Sequence, residues 1–254
     1  MFRPYRRPTV AVVGAGVAGC SAAAECAFSG FDTTLFDRQP TLGGHLSSGS
    51  VALSRRAHYR TPYLKKTKVD GTSSALVEHL SAAIGASGAV FRGSTNITHA
   101  SFDEAEGQWE LTLNDTQTEK FDVLIRATGE ASPWIEVPGR KNFNADDLYH
   151  HLGVEVVGLP NCLFVDTEYP SNAQPVERSF AVAEMRGGYA RRYLRQLEIR
   201  GPGALSVKQD RWLVQPGTLR RARAAISDFE PDTHVFVRAR NYAAEERRPS
   251  KTPV

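Results

Sequence analysis

Residues Thr9 to Asp37, TVAVVGAGVAGCSAAAECAFSGFDTTLFD, leave this chain few folds to choose from. The apolar run from Val10 to Val13 meets Gly14, Gly16 and Gly19, passes into an alanine-rich helix, and returns as a second apolar run ending on Asp37. That order is a βαβ unit with the spacing of a dinucleotide-binding turn. Each glycine answers a separate steric demand: Gly14 makes the tight turn, Gly16 admits a pyrophosphate to the backbone, and Gly19 lets helix and sheet pack closely. Val17 and Ala18 open the helix, where exposed N–H groups and the helix dipole favour phosphate. Asp37 lies about 20 residues beyond the glycines, the expected place for a ribose-binding carboxylate. Ala23 and Gly30 supply the small residue and the helix-ending glycine that this geometry needs.

The 254 residues suffice for one large domain or two small ones, and the net charge of +3 is dispersed among acids rather than gathered in blocks. Nothing in this balance calls for nucleic acid or an anionic membrane. Cys20, Cys26 and Cys162 have neither C-x-x-C spacing nor a disulfide-framework pattern. The first two are expected to act as small apolar residues of the glycine-loop helix. The opening MFRPYRRP leads into a strand too short and too glycine-broken for a secretory signal, and no later run reaches membrane-spanning length. The expectation is a soluble, cytoplasmic protein.

After Asp37 come Arg38 and a short loop to Gly43-Gly44, followed by His45-Leu46. A strand ending on an acid, then a base, then a Gly-Gly turn resembles the FAD fingerprint of flavoproteins with two dinucleotide-binding domains. More narrowly, it is similar to the flavin-containing and Baeyer–Villiger monooxygenases, in which Gly-Gly is usually followed by an aromatic residue where this chain has His45. The resemblance implies that Arg38, Gly44 and His45 lie near FAD. Farther along, Ala127-Thr128-Gly129 follows the apolar strand end Val123–Ile125, and it matches a triplet that in the resembled flavoproteins passes close to FAD. Pro160-Asn161-Cys162-Leu163-Phe164 resembles the strand by which those proteins return to the FAD sheet, which would bring Asp166 or Thr167 near the flavin or its ribityl chain.

Between these landmarks the pattern is that of an α/β protein. Leu76, Val77, Leu80 and Ile84 predict a helix over residues 72–84, stopped by Gly85 and Gly88. A short strand at 89–93 and three alternating runs to Gly129 predict a β-meander. Residues 173–199 read as a helix bent or split at Gly187-Gly188. Short strands at 204–208 and 211–215, a polar helix at 218–227, a strand at 234–240 and a disordered tail at 243–254 complete the reading. The fold class is thus a Rossmann-like FAD-binding fold, a parallel sheet with a β-meander, in one domain over 1–242 with core segments 8–45, 72–130 and 159–200. In the resembled monooxygenases an NADPH domain with its own G-x-G-x-x-G would stand between Gly129 and Leu159. This chain has a single such motif, and that interval is shorter than the ~50 residues of the smallest domains.

No metal-ligand or hydrolase motif is present, and the seven histidines are scattered apart from His150-His151. Redox chemistry must therefore come from the cofactor. His45, and His58, Tyr59 and Arg60 in the basic loop 47–70, are the side chains considered as catalytic. The reading that follows is a small FAD-dependent oxidoreductase, an oxidase or monooxygenase-like enzyme. It would act on a small organic, specialised-metabolite type of substrate and be reduced either by that substrate or by a separate flavin reductase, with homo-oligomerisation left open. Two alternatives remain: a redox-silent isomerase, cyclase or lyase reusing the FAD cleft, and a non-catalytic subunit of a larger flavoenzyme.

Overall fold

The computed structural model describes residues 6–47, 58–59, 67–68, 73–129, 133–137, 145, 148, 150–156, 158–166, 176–208, 211 and 231–239. Residues 212–215 of the strand expected at 211–215, the helix at 218–227 and the tail at 243–254 lie outside the described residues.

The βαβ unit forms as β1 (Thr9–Val13), α1 (Val17–Phe28) and β2 (Asp32–Phe36), with β1 and β2 parallel. A turn of 3-10 helix at Gly44–Leu46 and the two-residue strands β3 (His58–Tyr59) and β4 (Thr67–Lys68) follow. Then come α2 (Ser73–Ser87) and β5 (Val90–Arg92), which joins β2 in parallel. The helix expected to stop at Gly85 runs through it and ends at Gly88, whose φ is +84°. At Gly85 an added Cβ would meet nothing within 4 Å, so the residue sits on an open face and costs helix propensity without breaking packing.

The meander is β6 (Ile97–Asp103), β7 (Gln108–Leu113) and β8 (Gln117–Phe121), an antiparallel three-stranded sheet of its own. The sequence run 119–129 divides between β8 and β9 (Val123–Arg126) at Asp122. That buried carboxylate accepts hydrogen bonds from the Thr9 N–H at 2.7 Å, Gln108 at 2.9 Å and Arg6 at 2.7 Å, so it anchors the start of β1 where meander and main sheet meet.

β9 lies beside β1 in parallel, and β12 (Cys162–Phe164) lies beside β9 in parallel. The strand returning through Pro160–Phe164 thus takes its place in the main sheet. Sequence reading missed the hairpin of β10 (His150–His151) and β11 (Glu155–Val156), which extends that sheet antiparallel to β12. Its turn places Leu152 and Gly153 at φ +54° and +69°. The main sheet therefore runs β10-β11-β12-β9-β1-β2-β5, mostly parallel.

α3 (Val176–Arg200) is one continuous helix rather than one split at Gly187-Gly188. A Cβ on Gly187 would lie 3.2 Å from the Ser21 carbonyl oxygen of α1, so glycine serves close helix–helix approach there. The ribbon of β13 (Gly203–Val207) and β14 (His234–Arg238) completes the described fold. Apolar side chains fill both faces of the sheet. On one face α1 and α3 cover Val12, Leu35, Ile125 and Leu163, and on the other the meander covers Phe36, Leu124 and Phe164. Among the described residues no helix is long and apolar enough to cross a membrane.

A buried polar chain ties α3 and the ribbon to the sheet edge. Glu155 accepts hydrogen bonds from the Tyr189 hydroxyl and from His234 Nε2, the latter at 2.7 Å, while Thr233 Oγ1 meets His234 Nδ1 at 2.8 Å. His151 stands edge-on to His234 with ring centroids 6.4 Å apart. Burial, aided by His234 and opposed by Glu155, holds the His151 pKa below the ordinary range. The folded chain then binds fewer protons at this ring than the unfolded chain, so stability is present above an unfolded pKa of about 6.5 and is lost as pH falls below it. Thermal denaturation between pH about 7.5 and about 5 should show a falling midpoint, with a shallower fall in His151→Gln. An identical slope in wild type and variant would rule this group out as the source.

Candidate functional site

The glycine loop is built by contacts that tolerate no side chain. Gly14 has φ +105°, and a Cβ there would stand 2.3 Å from the Ala127 carbonyl oxygen. On Gly19 it would stand 1.7 Å from the Gly14 carbonyl oxygen. The Gly14 N–H donates to Phe36 O at 2.8 Å, and the Ala127 N–H donates to Val13 O at 2.7 Å. The ends of β1, β2 and β9 thereby converge on the first turn of α1.

Gly16 is the contrast. A Cβ on it would meet nothing within 4 Å, so the space above this backbone is open. It is the N-cap of α1, with no side-chain cap and no acid in the first helical turn, where Val17 and Ala18 lie. An uncapped helix start facing open space suits a phosphate, which the dipole favours by up to roughly 2 kcal/mol in a sheltered site. Gly44 closes on Gly16 from the other side: a Cβ on Gly44 would lie 3.2 Å from the Gly16 Cα, and the Gly43 N–H donates to Ala15 O at 2.9 Å.

Asp37 braces the same loop. Its Oδ2 accepts the Ala15 N–H at 2.6 Å and its Oδ1 accepts the Gln39 N–H at 2.7 Å. A carboxylate has about four lone-pair sites, so acceptor capacity remains for ribose hydroxyls. A cavity of about 260 Å³ opens beside it, lined by Gly14, Asp37, Arg38 and Thr128 and also by Asn96 and Trp134. The last two went unnoticed in the sequence, where Asn96 reads as a strand start and Trp134 as part of an irregular interval.

At the carboxyl edges of β9 and β12, Asp166 accepts a hydrogen bond from the Gly129 N–H, and its Oδ1 lies 3.3 Å from Arg126 Nη1. Both side chains are buried. Burial pushes the Asp166 carboxyl above the usual carboxylate range, while Arg126, the Gly129 N–H and Arg186 pull it back down. The Arg126 guanidinium also stacks over Phe164, 4.4 Å from the ring centroid, and Nε donates to Thr128 Oγ1 at 3.3 Å. Arg126 was unremarked in the sequence because a single base at a strand end reads as a solvated one.

The structure thus gathers Gly14, Asp37, Arg38 and Thr128 at one cavity, sets Gly16, Val17, Ala18, Gly19, Gly44 and Ala127 around the adjoining helix start, and joins Gly129 to Asp166. The candidate catalytic group is not gathered. His45 lies in the 3-10 turn and His58 and Tyr59 lie in β3, whose backbone runs beside α3, but these three side chains and all of Arg60 lie outside the described residues. Cys20 and Cys26 are fully buried, and burial pushes both thiols far up, consistent with their expected role as inert apolar residues. Among the described residues no cluster of His, Cys, Asp and Glu could hold a metal ion.

Residues 12–80 match the NAD(P)-binding Rossmann-like domain family. The rice (Oryza sativa subsp. japonica) indole-3-pyruvate monooxygenase YUCCA1 is 28% identical over 145 residues, covering 54% of this chain and 36% of that protein. The chain resembles the flavin-containing and Baeyer–Villiger monooxygenases over part of its length. Among solved structures, open cyclohexanone monooxygenase is similar with a TM-score of 0.42 and 20% identity, over 57% of this chain and 30% of that one. OTEMO, solved with FAD and NADP, gives 0.38 and 20% over 57% and 30%. The chain spans about a third of the length of these relatives.

The buried pair makes a measurable claim. Removing one member of a buried ion pair typically costs about 3–5 kcal/mol, whereas removing both is far milder. Urea denaturation should therefore show Arg126→Met strongly destabilised and Arg126→Met/Asp166→Asn substantially restored. Strictly additive losses would refute the coupling.

Proposed function

We propose that this chain is a small FAD-dependent oxidoreductase of monooxygenase-like kind, carried by one nucleotide-binding unit over residues 1–242. It acts in the cytoplasm on a small organic substrate of specialised-metabolite type. The observation that carries the reading is the open backbone of Gly16 at the uncapped start of α1, directly beside a cavity lined by Asp37. An anionic diphosphate fits the first and ribose hydroxyls fit the second. The Gly43-Gly44 turn against Gly16 and the Ala127–Gly129 turn favour FAD over a nicotinamide dinucleotide, because both belong to the resembled flavoproteins. The similarity to YUCCA1 points the same way.

In this reading each part of the chain has a task. Gly16, Val17 and Ala18 hold the diphosphate, Asp37 holds the adenosine ribose, and Gly129 with Asp166 faces the sugar chain on the flavin side. Bound FAD would supply electron exchange between substrate or donor and oxygen. In this reading the reducing equivalents come from the substrate or from a separate flavin reductase. His45, His58, Tyr59 and Arg60 remain the candidates for contact with substrate.

The test is the absorbance of the purified protein before and after incubation with FAD. Near-stoichiometric flavin is expected, with Gly16→Val reducing FAD affinity at least a hundredfold, since a branched side chain fills the space the diphosphate needs. The same variant should still fold, with a stability loss of about 1 kcal/mol, because a Cβ there meets no protein atom within 4 Å while valine is a poor N-cap. A colourless protein that takes up no FAD would overturn the proposal.

A further inference from the structure

We propose that Trp134 is the base-stacking wall of an adenosine subsite, an inference that rests on the dinucleotide reading above. The cavity beside Asp37 measures about 260 Å³. Pockets that enclose a whole drug-sized ligand run to about 300–1,000 Å³, so this one accommodates one end of a dinucleotide rather than all of it. Its walls are chemically divided. Asp37, Asn96 and Thr128 offer polar groups suited to a sugar, and Pro133 with Trp134 offers apolar surface. A nucleoside has the same division, a hydroxyl-bearing ring joined to a flat base.

Trp134 is held as a wall must be. Its carbonyl accepts the Ala100 N–H at 2.7 Å, the Glu136 N–H donates to Ala100 O at 2.8 Å, and Ala100 bridges Ile135 in parallel. These bonds pin a segment without regular structure onto β6, whose first residue, Ile97, lines the same cavity. The side chain is half-buried, packed against the apolar cluster under the meander while still lining the cavity. Trp109 shows what a purely structural tryptophan looks like in the same cluster. It is fully buried, with its indole N–H shared between the Pro160 and Asn161 carbonyl oxygens at 3.0 and 3.1 Å. A partly exposed tryptophan on a pinned backbone is a preorganised surface for an aromatic ligand, and every nucleobase presents a π-face to stack on it.

Adenosine is common to FAD and to other adenine dinucleotides, so binding is measured with FAD, NAD and ADP on the full chain, by calorimetry and by tryptophan emission. Wild type should bind FAD and ADP with quenching of its emission. Trp134→Leu keeps an apolar side chain but removes the π-face, and should weaken both ligands about tenfold to a hundredfold. Trp134→Phe restores a π-face and should recover most of that loss, with the melting temperatures of both variants close to wild type. Equal affinities for wild type and Trp134→Leu, or no recovery in Trp134→Phe, would overturn the role of Trp134 while leaving the FAD reading intact. Binding of NAD and ADP without FAD, still weakened in Trp134→Leu, would support the subsite and overturn the choice of FAD. A wild type that binds none of the three would overturn both.

Discussion

The carbonyl oxygen of Ala127 stands where the side chain of any residue other than glycine at position 14 would begin, 2.3 Å from the ideal Cβ site. Much of the candidate site depends on that approach. Because the end of β9 can press onto the turn after β1, the Gly14 N–H reaches Phe36 and the Ala127 N–H reaches Val13. Three strand ends then meet one helix start. Asp37 completes the junction by bonding Ala15, so the carboxylate that faces the cavity also holds the loop in shape. Site geometry and fold are therefore the same set of contacts, and a substitution at Gly14 or Gly19 would damage both.

A second layer of order comes from polar groups sealed inside the molecule. Asp122 secures the start of β1, Arg126 and Asp166 clasp the carboxyl edges of β9 and β12, and Glu155 joins α3 to the ribbon through Tyr189 and His234. Asn161, with no exposed surface, donates from Nδ2 to Gly203 O and accepts the Leu205 N–H at Oδ1, both at 2.8 Å. Buried polar groups are costly unless paired, so each such link specifies one arrangement of its partners. The Arg126–Asp166 clasp sits where the chain leaves the sheet, after β9 and again after β12.

How much of this could be read in advance follows from the range of each interaction. The glycine loop, Asp37 and the fold class were legible because a βαβ turn is encoded within about thirty residues and each glycine has a local steric reason. The return strand at 162–164 was legible from the resemblance of Pro160–Phe164 to the strand by which flavoproteins return to their sheet. The Gly187-Gly188 pair misled because a helix-breaking residue and a close-packing residue look alike until the Ser21 carbonyl is placed against them. The hairpin of β10 and β11 escaped because two-residue strands carry no periodicity. Arg126 and Trp134 escaped for the same reason as each other. Their roles are set by Asp166 and Ala100, residues far along the chain, and no local pattern reports such a partner.

The central claim is that one glycine loop and its adjoining cavity hold the adenosine diphosphate half of FAD. A crystal structure of the full chain grown with ADP tests it most directly. The account predicts the diphosphate over Gly16 at the start of α1, with ribose hydroxyls on the Asp37 carboxylate. Density for ADP elsewhere, or a ribose that does not reach Asp37, would contradict it.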